Sequence, residues 1–352
     1  MKIASTTLTG NNAEIIGDAL RSALAWADHC LVIDTGVTDE SLAIAKEIAG
    51  PKFVSRRFAW TRDFSAARNF ALDAAHELGA DWAVTLDTDE RILANGEDLR
   101  AVMTSAKEGV LMMSDEKGTY AKERCFRLPA RERFQGPTHE FFPAYKVGVK
   151  TLGRAAFREL DKSPEGLRNK FQRDLEILEP YVRAHPADPR WHYYLGETLK
   201  NLGRSEQAVS SYDACAALRG WNEESAWACY RAAEILAGLG RHREAIDRCA
   251  TGLARHAGVA ELAWLAAFST YQLGDPTQAV YWAELAVVHG LFRGKGQNVR
   301  RIGFRYPSGL YEGPYDVLRY ALRDIGDHAG AAAAERSYHE ATAARERAQR
   351  TG

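Results

Sequence analysis

A seven-residue pattern occurs three times in the second half of the chain, and it constrains the fold more than any other feature. Each copy begins with Leu-Gly and ends with alanine, at residues 202–208, 239–245 and 273–279. The glycines are 37 and 34 residues apart. A period near 34, with a glycine between two helical stretches, predicts stacked helix pairs that complete their core only against their neighbours.

This period and turn resemble the tetratricopeptide repeat. Glycine can end the first helix of a pair in a left-handed conformation, and Ala208, Ala245 and Ala279 would let the second helix approach closely. A looser fourth copy is predicted at 325–331, after an irregular insertion from about 289 to 314. We therefore predict an all-α tetratricopeptide-repeat solenoid over residues 165–352. Such a unit could bind a peptide or protein, buttress the first half of the chain or form a homodimer.

The insertion carries a small cluster of basic residues. They are Arg293, Lys295, Arg300 and Arg301. This cluster could touch an anionic acceptor, or it could be a solvated loop.

The first half of the chain has a different periodicity, in which short apolar runs alternate with helical patterns up to about residue 160. The predicted strands cover residues 2–7, 29–34, 52–58 and 82–86, and the predicted helices cover 12–27, 39–49 and 64–78. Such alternation predicts a mainly parallel, Rossmann-like sheet with covering helices. An α/β domain over residues 1–160 would bind its ligands at the carboxyl ends of the strands.

An acidic cluster follows the last of these strands. Asp87, Asp89 and Glu90 follow the apolar run 82–85 after a single residue, Leu86. Carboxylates two residues apart on an extended segment can address one site, and their oxygens suit a divalent cation that carries a phosphorylated ligand. A calcium-binding EF-hand loop is excluded because its glycine and glutamate positions hold Ile92 and Asp98. A solvated turn that caps a helix is the alternative.

Composition limits the class of partner. The 352 residues include 46 basic and 47 acidic side chains, so the net charge of −1 provides no field that would attract nucleic acid. The chain shows no apolar run of membrane-spanning length and no signal-peptide pattern, so we expect a cytoplasmic protein without an integral membrane segment. Five cysteines without a C-x-x-C pair are expected to be reduced core residues.

Four segments of the first half, taken in order, resemble inverting family 2 glycosyltransferases of the GT-A fold. Residues 32–39 resemble the D-x-G-S-T-D segment of that family, residues 63–71 resemble D-F-x-x-A-R-N-x-A, and residues 87–90 resemble D-A-D-E. His139-Glu140 follows. The subgroup with appended tetratricopeptide repeats includes lipooligosaccharide-core glucosyltransferases and bacteriocin S-glycosyltransferases. This chain departs from the pattern at Val37, and at residues 9–12, which lack the usual basic residue.

The resemblance implies a nucleotide-sugar donor, expected to be a UDP-sugar, and a divalent cation, Mn²⁺ or Mg²⁺. The implied cation ligands are Asp89 first, then Asp87 and His139. The implied donor-binding residues are Asp34, Arg68, Asp87 and Thr7. Asp87 would reach the ribose or a cation-bound water, and the Arg68 guanidinium would meet a phosphate.

Several of these residues have ordinary structural alternatives. Asp34 could instead cap the turn that follows it. Arg68 could form a surface salt bridge with Asp63 or Asp73. Glu90 could cap the next helix.

An inverting enzyme also needs a general base that takes the proton of the acceptor. We assign Glu140 as this base and His139 as a cation or diphosphate contact, with the reverse assignment open. Asp115 is a further acid for either role, and an ordinary loop is the alternative for His139-Glu140. The sequence therefore predicts a metal-dependent inverting hexosyltransferase acting on a peptide, protein or saccharide. The alternative is a repeat-containing binding protein whose transferase half is vestigial.

Overall fold

The computed structural model describes residues 1–294 and 305–351, which form two compact units. The first unit covers residues 1–166 and the second begins at residue 167. Lys295, Arg300 and Arg301 of the basic cluster lie outside the described residues.

The first unit contains eight strands and four helices, followed by the start of a fifth helix that continues into the second unit. The strands are β1 (Ile3–Thr9), β2 (His29–Asp34), β3 (Phe53–Arg57), β4 (Trp82–Thr85), β5 (Glu90–Leu93), β6 (Val110–Asp115), β7 (Ala121–Arg127) and β8 (Val149–Glu159). The helices are α1 (Ile16–Ala23), α2 (Ser41–Ala49), α3 (Phe64–Glu77) and α4 (Leu99–Ser105), and α5 (Pro164–Ala184) crosses the boundary.

All eight strands belong to one mixed sheet with the order β3-β2-β1-β4-β7-β6-β8-β5. The first four strands are parallel to one another, which confirms the predicted α/β architecture. Beyond β4 the sheet becomes mixed, because β7 is antiparallel to both β4 and β6. The order reverses between β1 and β4. In open α/β sheets, ligands bind in the crevice at such a switch point, outside the carboxyl ends of the strands.

The strand residues alternate between two apolar layers, as the period of two in a strand requires. Ile3, Val32 and Val84 face one layer, where they pack with α1 and α2. Ala4 and Ile33 face the other layer with the apolar side of α3. Both faces of the sheet are therefore covered by apolar layers.

The second unit is built of helices in sequential pairs. After α5 they are α6 (Pro189–Asn201), α7 (Ser205–Leu218), α8 (Asn222–Gly238), α9 (His242–Arg255), α10 (Ala260–Gln272), α11 (Pro276–His289), the short α12 (Pro307–Leu310), α13 (Gly313–Asp324) and α14 (His328–Thr351). The predicted helix pairs correspond to α6–α7, α8–α9, α10–α11 and α13–α14.

The turn inside each pair has the predicted geometry. Gly203, Gly240, Gly274 and Gly326 have φ values of 74°, 76°, 80° and 88°, a left-handed conformation that L side chains rarely adopt. At the first of these turns the N–H of Arg204 donates to the carbonyl of Leu199, closing the last turn of α6. The alanines five residues after the first three glycines are completely buried, at Ala208, Ala245 and Ala279.

None of the described helices combines the length and the apolar character that crossing a bilayer requires. The five cysteines are buried and unpaired, in agreement with the expectation of reduced core residues.

Candidate active site

The acidic cluster forms a tight turn at the carboxyl end of β4. The N–H of Leu86 still donates to the carbonyl of Thr6 on β1 (3.0 Å), so the strand pairing reaches the start of the cluster. The N–H of Glu90 then donates to the carbonyl of Asp87 (2.9 Å), which closes the turn. The turn therefore places Asp87 and Asp89 beside the switch point between β1 and β4.

Asn12 fixes this turn to the loop that follows β1. The hydroxyl of Thr88 donates to Asn12 Oδ1 (3.2 Å), and Asn12 Nδ2 donates to the hydroxyl of Thr9 (3.3 Å). The segment 9–12, which lacks the usual basic residue of the family, thus has a structural role here. It links the end of β1 to the turn that follows β4.

Arg68 links two of the predicted site residues. From α3 its Nη1 lies 3.0 Å from Asp87 Oδ1, and its Nη2 donates to Asp87 Oδ2 (3.2 Å). Its Nε donates to Glu140 Oε1 (2.5 Å). The planar guanidinium therefore pairs with one carboxylate through two nitrogens and with a second through the third, a geometry that lysine could not reproduce.

Neighbouring charges shift the pKa values of Arg68 and Asp87. Burial alone would raise the pKa of Asp87, but the charges of Arg68 and Arg124 outweigh it and hold that pKa well below its ordinary value. Burial opposes the charged form of Arg68, yet Asp87 and Glu140 raise its pKa above the ordinary value. Asp87 and Arg68 consequently form a charged pair at neutral pH.

Glu90 begins β5, so the alternative in which it caps a following helix is wrong. Its buried carboxylate pairs with Nη2 of Arg124 on β7, and Nζ of Lys122 lies 3.4 Å away. Burial and the neighbouring charge of Asp87 raise the pKa of Glu90 despite these two cations. Glu90 therefore belongs to the buried support of the turn.

Asp89 has a different environment from Asp87. Its side chain is 28% exposed, and its Oδ2 lies 2.5 Å from Nζ of Lys162, which follows β8. The N–H of Leu160 donates to the Asp89 carbonyl (2.8 Å). Burial alone would lower the pKa of Lys162. The hydrogen bond and the charge of Asp89 outweigh this effect, so the pKa lies above its ordinary value. Asp89 and Asp87 are thus exposed to about the same extent, at 28% and 29%, but they differ in their partners. A flexible ammonium group pairs with one oxygen of Asp89, whereas Arg68 engages both oxygens of Asp87.

The loop that carries His139 and Glu140 is anchored at several points. Gln135 and Phe141 exchange two backbone hydrogen bonds (2.9 and 3.1 Å), so the loop is closed at its base. Asn69 on α3 holds the loop through Phe134, whose N–H donates to Asn69 Oδ1 (2.9 Å). Adjacent residues of α3, Arg68 and Asn69, therefore position the loop and its acid.

His139 is half-buried and has a φ of 49°. Positive φ is uncommon for a residue with a side chain, and such strain clusters at functional sites. A functional role for His139 stays a prediction.

Asp34 performs the turn role that the sequence left open. Its Oδ1 accepts hydrogen bonds from the N–H groups of Val37 and Gly36 (both 2.8 Å), and these bonds lower its pKa. Its Oδ2 accepts no hydrogen bond from the described residues, and a nucleotide contact stays a prediction for this oxygen. Thr7 is completely buried within β1, and its hydroxyl has no hydrogen-bond partner in the described part of the chain. A donor contact at Thr7 likewise stays a prediction.

Three other acids have structural roles. Asp63 caps α3 by accepting from the N–H of Ala66 (3.0 Å), and Asp73 pairs with Arg133 (2.6 Å). The alternative salt bridge of Arg68 with either acid is therefore wrong. Asp115 accepts hydrogen bonds from the N–H groups of residues 119 and 120, so it shapes the turn between β6 and β7.

The arrangement suits a cation held jointly by protein and ligand. Within residues 1–294 and 305–351, no group of three or more His, Cys, Asp or Glu side chains could hold a metal ion. Mg²⁺-type sites commonly use one or two carboxylates and complete their shell with substrate phosphates and water. Asp89 fits this pattern because Lys162 engages one of its oxygens, whereas both oxygens of Asp87 are engaged by Arg68.

Sequence reasoning missed three cations around the acidic turn: Lys122, Arg124 and Lys162. Lys122 and Arg124 are two residues apart in β7, so a strand prediction there would have placed them on one face. Lys162 carries no local signal, because only the return of the chain after β8 brings it to Asp89.

Replacing Arg68 by methionine should lower the free energy of unfolding by about 3 kcal/mol, because Asp87 and Glu140 would be left as poorly solvated like charges. Chemical denaturation measures this change. The matched control is Arg133→Met, which removes the exposed partner of Asp73 and should cost less than about 1 kcal/mol. Equal losses in both variants would contradict the linking role of Arg68.

Comparison with known proteins identifies the first unit. Residues 7–158 match the family model described as Glycosyl transferase family 2. A TPR repeat-containing protein of Synechococcus elongatus is 34% identical over 220 residues, which cover 57% of this chain and 53% of that protein. The SPbeta prophage-derived glycosyltransferase SunS of Bacillus subtilis is 23% identical over 217 residues, covering 56% of this chain and 49% of SunS.

Among solved structures, the crystal structure of MamA has a TM-score of 0.40 at 15% identity. The match covers 53% of this chain and 99% of the MamA chain. This chain spans about half the length of the curated relatives it matches. The matched segment 7–158 contains the acidic turn, Arg68 and the His139-Glu140 loop. The first unit is therefore a family 2 glycosyltransferase domain, and the chain joins it to a unit of tetratricopeptide-type repeats.

Proposed function

We propose that this protein is a metal-dependent inverting glycosyltransferase that transfers a hexose from a UDP-sugar to an acceptor. One observation carries the proposal: Arg68 joins the acidic turn at the sheet switch point to Glu140, 72 residues away in the chain. Ligands of α/β sheets bind at this edge, and a transferase needs a diphosphate site and a base close together there.

Asp89 is the residue that would hold the cation, with His139 as a second candidate. When bound, a divalent cation supplies charge that stabilises the departing diphosphate. The free oxygen of Asp34 would accept a hydrogen bond from the uracil or the ribose, and Asp87, oriented by Arg68, would receive the ribose or a cation-bound water. Each of these residues lies at or near the carboxyl end of a parallel strand or in the loop docked on α3.

Glu140 would act as the base. In an inverting transfer, the acceptor attacks the anomeric carbon from the side opposite the diphosphate, and its proton passes to the base as the new bond forms. Arg68 Nε binds only Oε1 of Glu140, which leaves the second oxygen of the carboxylate to take that proton. Arg68 is thus a positioning residue that relates the base to the donor site.

We further propose a peptide, a protein or a saccharide as acceptor. Helical repeats provide extended surfaces for polypeptides, which favours an acceptor recognised by the second unit. Formation of a homodimer through the repeats is the other use of that unit. The fold alone does not select the acceptor, since one fold serves many substrates.

The direct test is a thermal-shift screen of nucleotides with Mn²⁺, followed by an assay of UDP-sugar hydrolysis. Because a ligand that binds only the folded state stabilises it by mass action, UDP at 100 times its Kd should add about 2.7 kcal/mol of stability. ADP and GDP should give smaller shifts if the donor is a UDP-sugar. Stabilisation by UDP with Mn²⁺, and release of UDP from a UDP-hexose, are the expected results.

The alternative is a repeat-containing binding protein with a vestigial transferase domain. It predicts neither stabilisation by any nucleotide nor turnover of any nucleotide sugar. That outcome, with a normally folded protein, would contradict the enzymatic proposal.

A further inference from the structure

Lys162 occupies the position next to the acid that we expect to bind the cation. Its Nζ lies 2.5 Å from Asp89 Oδ2, and the neighbouring backbone at Leu160 is hydrogen-bonded to the Asp89 carbonyl. The segment that follows β8 is therefore tied to the acidic turn by its backbone, and its lysine neutralises the carboxylate of Asp89.

The other cations around the turn are engaged elsewhere. Arg68 pairs with Asp87 and Glu140, Arg124 pairs with buried Glu90, and Lys122 pairs with Glu90 and Glu159. Lys162 differs from these arginines because its side chain is 36% exposed and ends in a compact ammonium on a flexible stem. An exposed lysine pair of this kind is weak and can exchange partners. The ammonium of Lys162 and a divalent cation cannot both lie against Oδ2 of Asp89 at the same time.

We propose that Lys162 is a resident counter-ion that competes with the divalent cation for Asp89 and turns to the diphosphate of the donor when the cation binds. This inference rests on the proposed function. The arriving diphosphate brings the negative charge that Lys162 needs once it leaves Asp89, and three rotatable N–H donors suit phosphate oxygens. Free protein therefore binds the cation weakly, and donor and cation bind together.

The test is Lys162→Met, with Mn²⁺ binding measured by electron paramagnetic resonance and UDP binding by calorimetry. Without nucleotide, the variant should bind Mn²⁺ about fivefold more tightly, because the competing ammonium is gone. In saturating Mn²⁺ it should bind UDP about tenfold more weakly, because a charge-assisted contact is lost. Lys162→Arg should retain the weak Mn²⁺ binding of the wild type. Lys150→Met, which removes an exposed lysine of β8, is the matched control and should change neither affinity.

The outcomes separate the two proposals. If Asp89→Asn loses Mn²⁺ binding while Lys162→Met keeps both wild-type affinities, the role of Lys162 is wrong and the proposed function stands. Weaker Mn²⁺ binding in Lys162→Met would also overturn that role, since it would make the lysine a support of the site. If the wild type binds neither Mn²⁺ nor UDP, both proposals fail.

Discussion

Glu140→Gln should lower the turnover of a UDP-sugar by roughly 10²- to 10⁴-fold, the usual contribution of a general base. Glutamine has the same shape and can still accept the hydrogen bond from Arg68 Nε, so the loop should keep its position. It cannot take the proton of the acceptor. Steady-state release of UDP measures the loss, and calorimetry should show that UDP affinity is unchanged, because the base acts on the acceptor.

The control for this variant is Glu132→Gln. Glu132 is also partly exposed, lies a few residues earlier in the chain, and has Lys146 as a partner at 3.6 Å. Its replacement should leave turnover unchanged. A turnover of Glu140→Gln within threefold of the wild type would show that Glu140 is not the base.

His139→Gln decides between the two assignments of the loop. If His139 contacts the cation or the diphosphate, this variant should need more Mn²⁺ for half-maximal activity. If the roles are reversed, His139→Gln should instead lower turnover at saturating Mn²⁺, and Glu140→Gln should impair binding of UDP.

Asp89→Asn should lower Mn²⁺-dependent turnover by roughly a thousandfold, corresponding to about 4 kcal/mol of transition-state stabilisation. The charged oxygen that anchors the cation would be replaced by a neutral amide. The fold should persist, because the lost pair with Lys162 is partly exposed and contributes less than about 1 kcal/mol to stability. Initial rates measured against Mn²⁺ concentration test the prediction, and thermal unfolding tests the fold.

Asp73→Asn is the matched control for this substitution. Asp73 is also an accessible acid paired with a cation, Arg133, but it lies on the exposed side of α3. Its loss should change neither the rate nor the requirement for Mn²⁺. If Asp89→Asn keeps the wild-type rate and the wild-type response to Mn²⁺, Asp89 is not the cation ligand.

The parts of the fold that sequence predicted well have strong local causes. Gly203, Gly240 and Gly274 end their helices because only glycine adopts the required φ without strain, so a repeated glycine marks a repeated turn. The segments β1 to β4 were readable because buried parallel strands form short apolar runs between helices. In contrast, β7 and β8 carry many polar residues, and β5 follows the acidic turn directly. β7 pairs with its neighbour β6, but it also pairs with the distant β4, and β5 pairs with β8 across the intervening strands.

The sequence by itself determined the order of β1 to β4 and α1 to α3, the repeat turns, and the residues whose chemistry suits a transferase. Only the tertiary structure decided which charges meet: Arg68 pairs with Asp87, 19 residues away, and with Glu140, 72 residues away. It also placed Lys162 on Asp89, 73 residues away in the chain. Conformational preferences of the backbone act between neighbours along the chain, whereas electrostatic interactions depend on distance in space and on burial. The position of each acid in the fold therefore separates Asp89, which pairs with a partly exposed lysine, from Asp87, which Arg68 holds through both oxygens, and from the buried Glu90.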